Sequence, residues 1–265
     1  MKPYINPTLK ELTSYDLLKL LAVITMIIDH VGHYFFPEVS EFRAIGRMSM
    51  PIWLFLVGFA NTRELPPILW GGAFILLASY LVAGNPILPL NILFTIIVAR
   101  AVLDTFAKII FKNTESFLFG VTAMVFLAIP TSALFDYGTL ALMWALFGYL
   151  CRYQTEMELS SKKLLGFLGV TTIVYLMYQQ VFFMFESTST LMMTISVSIS
   201  AAVLYNFKAQ ALPDLTTKLP NLLNSFVKFC GRKTLYIYVV HLILFLAIGF
   251  FTQPERFGFF DLKFF

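Results

Sequence analysis

Charge is scarce in this chain. Asp, Glu, Lys and Arg supply 13% of its 265 residues, about half the share of a soluble domain. Apolar residues supply 58%. This balance excludes a soluble globular domain and predicts an all-α, polytopic transmembrane helix bundle in a lipid bilayer. Cysteine is scarce too: Cys151 and Cys230 make no disulfide framework. With three histidines in all, no Cys/His spacing matches a zinc site, so no metal is expected. The net charge of +4 is spread over short connections between apolar runs, which argues against a nucleic-acid partner. No long polar insert divides the chain, so residues 1–265 are expected to form a single domain. Internal repeats and low-complexity segments are missing. The opening has no small-x-small site, so no cleavable signal is expected.

What the chain does have is a series of long apolar runs. Nine spans are predicted, at residues 17–36, 44–60, 68–83, 91–110, 117–135, 138–151, 165–185, 190–207 and 234–251. The sixth is the shortest. A polar lead with Pro3 and Pro7 precedes the first. Lys2, Lys10, Arg63, Lys108, Lys112, Arg152, Lys162, Lys163 and the basic residues of 208–233 all fall on the side of the N-terminus. The other side receives Arg43, Arg256 and Lys263, with Arg47 just inside the second span. Connections 85–90, 136–137 and 186–189 contain no Lys or Arg. By the positive-inside rule, the N-terminus is cytoplasmic and the C-terminus external. Within 208–233, the run from Pro220 to Phe229 reads as a short amphipathic helix on the cytoplasmic interface.

The first span carries Asp29-His30 inside an otherwise apolar run. A charge at the centre of such a helix costs roughly 2.5–3.5 kcal/mol on insertion scales. Asp29 and His30 therefore need partners on other helices. At about 100° per residue, Asp29 and His33 share a face and His30 lies next to it, with Thr25 one turn earlier. The candidate partners are Arg43, Arg47, Arg100, Asp104 and His241. Arg43 and Arg47 are four residues apart, so they share a face on the side of the membrane nearer Asp29. Arg43 either snorkels to headgroups or joins the cavity; Arg47 is deeper and reads as paired within the bundle. Pro51 frees one backbone carbonyl of the turn before it and can kink the second span. Arg100 and Asp104 are also four residues apart. Either they pair within their own helix, or Arg100 enters the cavity as an anion contact. Thr234, Tyr238 and His241 share a face of the last span. Gln179, Gln180, Asn206, Asp136 and Glu186 lie near span ends and read as interfacial. Met and Phe are abundant, and helix packing and lipid contact account for nearly all of them.

The run from Leu18 to Gly32, with Asp29-His30 in it, resembles the opening of the TraX family. So does Phe42-Arg43 through Gly46-Arg47 to Pro51-Ile52. Asn91 to Thr95 and Asp136-Tyr137-Gly138 are similar to later family positions. Gly231 to His241 resembles the last helix of TraX and of the broader membrane acyltransferases of acyltransferase family three. The resemblance implies a multi-pass acetyl- or acyltransferase of the bacterial inner membrane. Acetyl-CoA or another acyl-CoA would be the donor. The family name comes from a conjugative-pilus protein that acetylates the pilin N-terminus; the acceptor here is open. By motif match His30 is the catalytic histidine and Arg47 the arginine of the family opening. Acyl transfer needs a base and an oxyanion partner. His30 fits the first role, with Asp29 better placed to hold Arg47 or His33 than His30. Arg47 or Arg100 fits the second, and Arg43, Tyr238 and His241 are further substrate contacts. Counted along their own helices, His30 and His241 sit about 20 Å and about 10 Å from the start, which suggests different depths. Intramembrane Asp, His and Arg also mark ion pathways, so a transporter or proton-coupled carrier is the competing reading, and an assembly subunit a third.

Overall fold

The structure is a computed structural model that describes residues 10–256, 263 and 264. The lead with Lys2, Pro3 and Pro7 lies outside the described residues, as does the side chain of Arg256. The described chain is helical and forms no strand; two isolated bridges, Thr13 with Ala211 and Leu90 with Phe135, tie connections together. The helices are α1 Ser14–Phe35, α2 Ser40–Gly46, α3 Ser49–Phe59, α4 Pro67–Val82, α5 Ile92–Ile110 and α6 Thr114–Ser132. They continue with α7 Gly138–Tyr153, α8 Ser161–Phe183, α9 Ser187–Tyr205, α10 Pro213–Lys218, α11 Asn221–Arg232 and α12 Thr234–Thr252.

Six of these are long and apolar enough to cross a membrane: α1, the α2–α3 stretch, α6, α8, α9 and α12. The chain is an integral membrane protein. By length and composition six of the nine expected spans qualify, for a physical reason. The α4 and α7 helices have 16 residues each, and α5 carries Arg100, Asp104 and Lys108. Side chains such as Phe119 and Phe126 on α6 point outward and are more than three-quarters exposed, as lipid-facing residues are.

The α1 helix begins three residues earlier than hydropathy suggests, because Thr13 and Asp16 form a capping box. Asp16 N donates to Thr13 Oγ1 at 3.2 Å, and Thr13 N donates to Asp16 Oδ2 at 3.0 Å. Two orphan donors of the first turn are thereby satisfied. The α11 helix then closes over this start. Gly231 rests against Asp16, closely enough that a Cβ would overlap it, and Arg232 Nη2 lies 3.3 Å from Asp16 Oδ2. The amphipathic run is thus helical, and its outer face leaves Leu222, Phe226 and Phe229 exposed at helical spacing.

The shortest expected span is the centre of the bundle. On α7, Leu140, Met143, Trp144 and Phe147 have no exposed surface. The α3 and α7 backbones touch through reciprocal glycines. A Cβ on Gly58 would collide with Ala145 O, and one on Gly148 with Phe55 O. Small residues allow this approach, which substitutes for the water-driven hydrophobic effect inside a membrane. A helix surrounded by protein need not match the bilayer, so α7 stays short.

The second expected span is broken. It splits into α2 and α3 around Arg47 and Met48. Pro51 has no N–H to offer the carbonyl of Arg47, four residues back. Tyr175 on α8 donates to that carbonyl instead, at 2.8 Å. From α9, Ser200 Oγ donates to Met48 O and Ser196 Oγ to Ala44 O, each at 3.3 Å. Unsatisfied groups here would cost several kcal/mol each. The break persists because two neighbouring helices satisfy it.

Candidate functional site

The break delivers Arg43 and Arg47 to Asp29. Arg43 Nη1 lies 2.9 Å from Asp29 Oδ2, and Arg47 Nη2 pairs with Asp29 Oδ1. Asp29 is 7% exposed and Arg47 4%. Gly46 makes the approach possible, since its Cα faces Asp29 with no room for a Cβ. Arg47 is fully committed: Nε donates to Arg43 O at 3.1 Å, and Nη1 to Tyr137 OH at 3.3 Å and Gln179 Oε1 at 3.5 Å. Among the described residues, Arg43 makes hydrogen bonds through Nη1 alone, to the Asp29 carboxylate and carbonyl. Both guanidinium carbons lie over the Phe183 ring, 5.0 and 4.7 Å from its centroid, a cation–π arrangement.

His30 approaches the same carboxylate oxygen of Asp29 that Arg43 contacts. Its Nε2 is 3.9 Å from Asp29 Oδ2, too long for a hydrogen bond. Its Nδ1 is 2.7 Å from His241 Nε2, with the rings stacked 5.0 Å apart. His241 Nδ1 is 2.7 Å from Ile237 O, one turn back on α12. The Tyr238 ring lies 6.2 Å from His30 and 5.9 Å from His241. The two histidines are therefore in contact and not at separate depths. Counting from each helix start assumed that the two helices start level and run parallel, and the contact shows that this does not hold.

Of the residues singled out from sequence, Asp29, His30, Arg43, Arg47, Tyr238 and His241 come together. Arg100 does not. Its Nη2 donates to Thr62 O at 3.2 Å, beyond the far end of α3. The 11 residues of α3, about 16 Å, separate it from the cluster. Nor does Arg100 pair with Asp104. Asp104 Oδ1 accepts from Arg63 Nε at 3.0 Å, and Arg63 also covers the last carbonyls of α3. A cation at a helix C-terminus is favourable, which fixes Arg63 there and draws Asp104 to it. His33 is exposed and packs edge-on against Tyr34. Three residues of the cluster were not assigned to it from the sequence: Tyr137, Tyr175 and Gln179. Gln179 has no exposed surface, against the interfacial expectation. Its signal was available, because Thr171, Tyr175, Gln179 and Phe183 repeat every four residues along α8. Among the described residues, no group of three His, Cys, Asp or Glu side chains could hold a metal ion.

A family model described as TraX protein matches residues 14–249. The chain belongs to the TraX family. The match runs from α1 into α12 and so contains every residue of the cluster. An uncharacterized protein of Rickettsia prowazekii (strain Madrid E) is 29% identical over 258 residues, covering 93% of this chain and 96% of that protein. No solved structure matches. TraX membership and the helical architecture agree on an integral membrane protein.

Proposed function

We propose that this TraX protein is a membrane acyltransferase that moves an acetyl or longer acyl group from acyl-CoA to an amine or hydroxyl. The observation that carries the reading is the His30 side chain, 19% exposed, with Nε2 beside a carboxylate flanked by two guanidinium groups. In this scheme His30 Nε2 takes the proton of the acceptor as its nitrogen or oxygen attacks the thioester carbonyl. The C–S bond then breaks, and the CoA thiolate leaves with that proton. Asp29 stabilises the imidazolium that forms in between, at 3.9 Å. The oxyanion goes to Arg43 rather than Arg47, because Arg43 keeps Nε and Nη2 uncommitted while Arg47 holds the break together. A pilin N-terminus is one acceptor of this class, as the family resemblance implies. Orientation belongs to the same proposal: an inner-membrane protein, N-terminus cytoplasmic and C-terminus external, with α4, α5 and α7 crossing alongside the six longer spans.

The test is acyl transfer by purified protein in lipid nanodiscs, with radiolabelled acetyl-CoA and a panel of amines and alcohols. His30→Gln should still bind acyl-CoA but transfer 10²–10⁴-fold more slowly, on the order of a general base's contribution. His33→Gln should transfer normally. Transfer by His30→Gln at the wild-type rate would remove the base from the scheme. A carrier would move its solute and give no acylated product at all.

A further inference from the structure

The hydrogen bonds of His241 have a direction that the distances fix. A backbone carbonyl can only accept, so the 2.7 Å contact between His241 Nδ1 and Ile237 O requires a proton on Nδ1. In a neutral imidazole the other nitrogen, Nε2, is then a bare acceptor. That nitrogen is 2.7 Å from His30 Nδ1, so the proton between the rings belongs to His30. The remaining nitrogen, His30 Nε2, is left bare, and it is the one that looks toward Asp29. The chain of donors runs one way: His30 Nδ1 to His241 Nε2, then His241 Nδ1 to the α12 backbone.

We propose that His241 is the positioning residue that sets the tautomer of His30, holding its Nδ1 proton so that Nε2 is the base. This rests on the proposed acyltransferase reading only for its consequence; the tautomers themselves are a property of the resting protein. His241 is suited to the task because it is buried, at 8% exposure, and is anchored to its own helix. Phe245 packs at right angles to its ring, 5.4 Å away, and holds the ring plane. When His30 Nε2 gains a proton, the Nδ1–H is already held by His241, and Asp29 stands on the other side. Arg43, on α2, is the cation nearest this carboxylate after Arg47, and Tyr238 is the polar neighbour on α12.

The experiment is imidazole nitrogen NMR on the full-length protein labelled with 15N-histidine. The chain has three histidines, so His33→Gln and His241→Gln assign the spectrum. The expected result is a protonated Nδ1 and bare Nε2 on both His30 and His241 in the wild type. In His241→Phe, which cannot accept, His30 should shift to the Nε2–H form. Its kcat should fall by on the order of 10²-fold or more, with little change in KM for acyl-CoA, the pattern of a lost orienting partner. His241→Gln, whose Oε1 accepts from Nδ1–H, should restore the wild-type tautomer of His30 and most of the rate. A protonated Nε2 on His30 in the wild-type protein would overturn the proposal, as would a His241→Phe protein whose His30 keeps its Nδ1 proton. The wild-type spectrum needs no turnover. Expected tautomers with no acylated product would sink the acyltransferase reading alone; product with the opposite tautomer would sink this one alone.

Discussion

Replacing Asp29 with Asn tests the electrostatics of the cluster directly. The side chain keeps its shape but loses its charge, and one acceptor oxygen becomes a donating NH2 group. Two guanidinium groups, 4% and 17% exposed at the side chain, are then left without a counter-ion. Unit charges 2.9 Å apart attract by roughly 6 kcal/mol at an effective dielectric constant of about 20. Desolvation offsets much of that in the intact pair, so the relevant quantity is the loss on removing one partner, about 3–5 kcal/mol. Arg43→Gln should cost less, about 1.5–3 kcal/mol, because Arg47 still neutralises Asp29. The double variant restores the charge excess of the wild type and should be more stable than Asp29→Asn alone. Thermal unfolding of all four proteins in one detergent, followed by loss of the monodisperse peak, gives the cycle. Two results would refute the reasoning: an Asp29→Asn protein within about 1 kcal/mol of wild type, or losses that simply add in the double variant.

Tyr175→Phe should destabilise by about 1–3 kcal/mol, since the Arg47 carbonyl loses the Tyr175 donor; an unchanged melting temperature in the same assay would mean that water fills the break. Gly58→Val should yield little folded protein, because the α3 and α7 backbones could not approach; normal expression and elution would show that the contact is dispensable. Arg100→Gln should keep acyl transfer while Arg43→Gln loses it, and the opposite order would return Arg100 to the site. Reporter fusions should place the N-terminus in the cytoplasm and the C-terminus outside; termini on one side would mean that α4, α5 or α7 does not cross.

The helical architecture and the Asp29 partners were legible because both rest on short-range rules. Hydropathy marks the runs, and the four-residue spacing of Arg43 and Arg47 puts two cations on one face. The expectation that Asp29 holds Arg47 or His33 rather than His30 follows from the 100° between adjacent residues, and the structure pairs it with Arg47 and not with His33. What the sequence hid depends on tertiary placement. The relative level and tilt of α1 and α12 are set by packing between helices, so counting residues could not bring His241 to His30. Gln179 sits near the end of a run, where linear position suggests an interface. Only the four-residue repeat on α8 shows that it points inward. The importance of α7 was invisible for a related reason: a helix that never meets lipid has no length to match.

The break after Gly46 connects fold and site. An unbroken second span would also present Arg43 and Arg47 on one face, but their backbone would be closed to other helices. Pro51 releases the Arg47 carbonyl, and that release gives Tyr175 a partner inside the bundle. Tyr175 and Gln179 lie one turn apart on α8, so the same helix that repairs the backbone also receives the Arg47 side chain. Phe183, one turn further, underlies both guanidinium groups. One residue's missing N–H thus brings α8 against the cluster, while Gly46 lets α2 close on Asp29 from the other side. Arg47 is consumed in this construction, which is why the proposed oxyanion contact is assigned to Arg43, whose Nε and Nη2 make no hydrogen bond among the described residues.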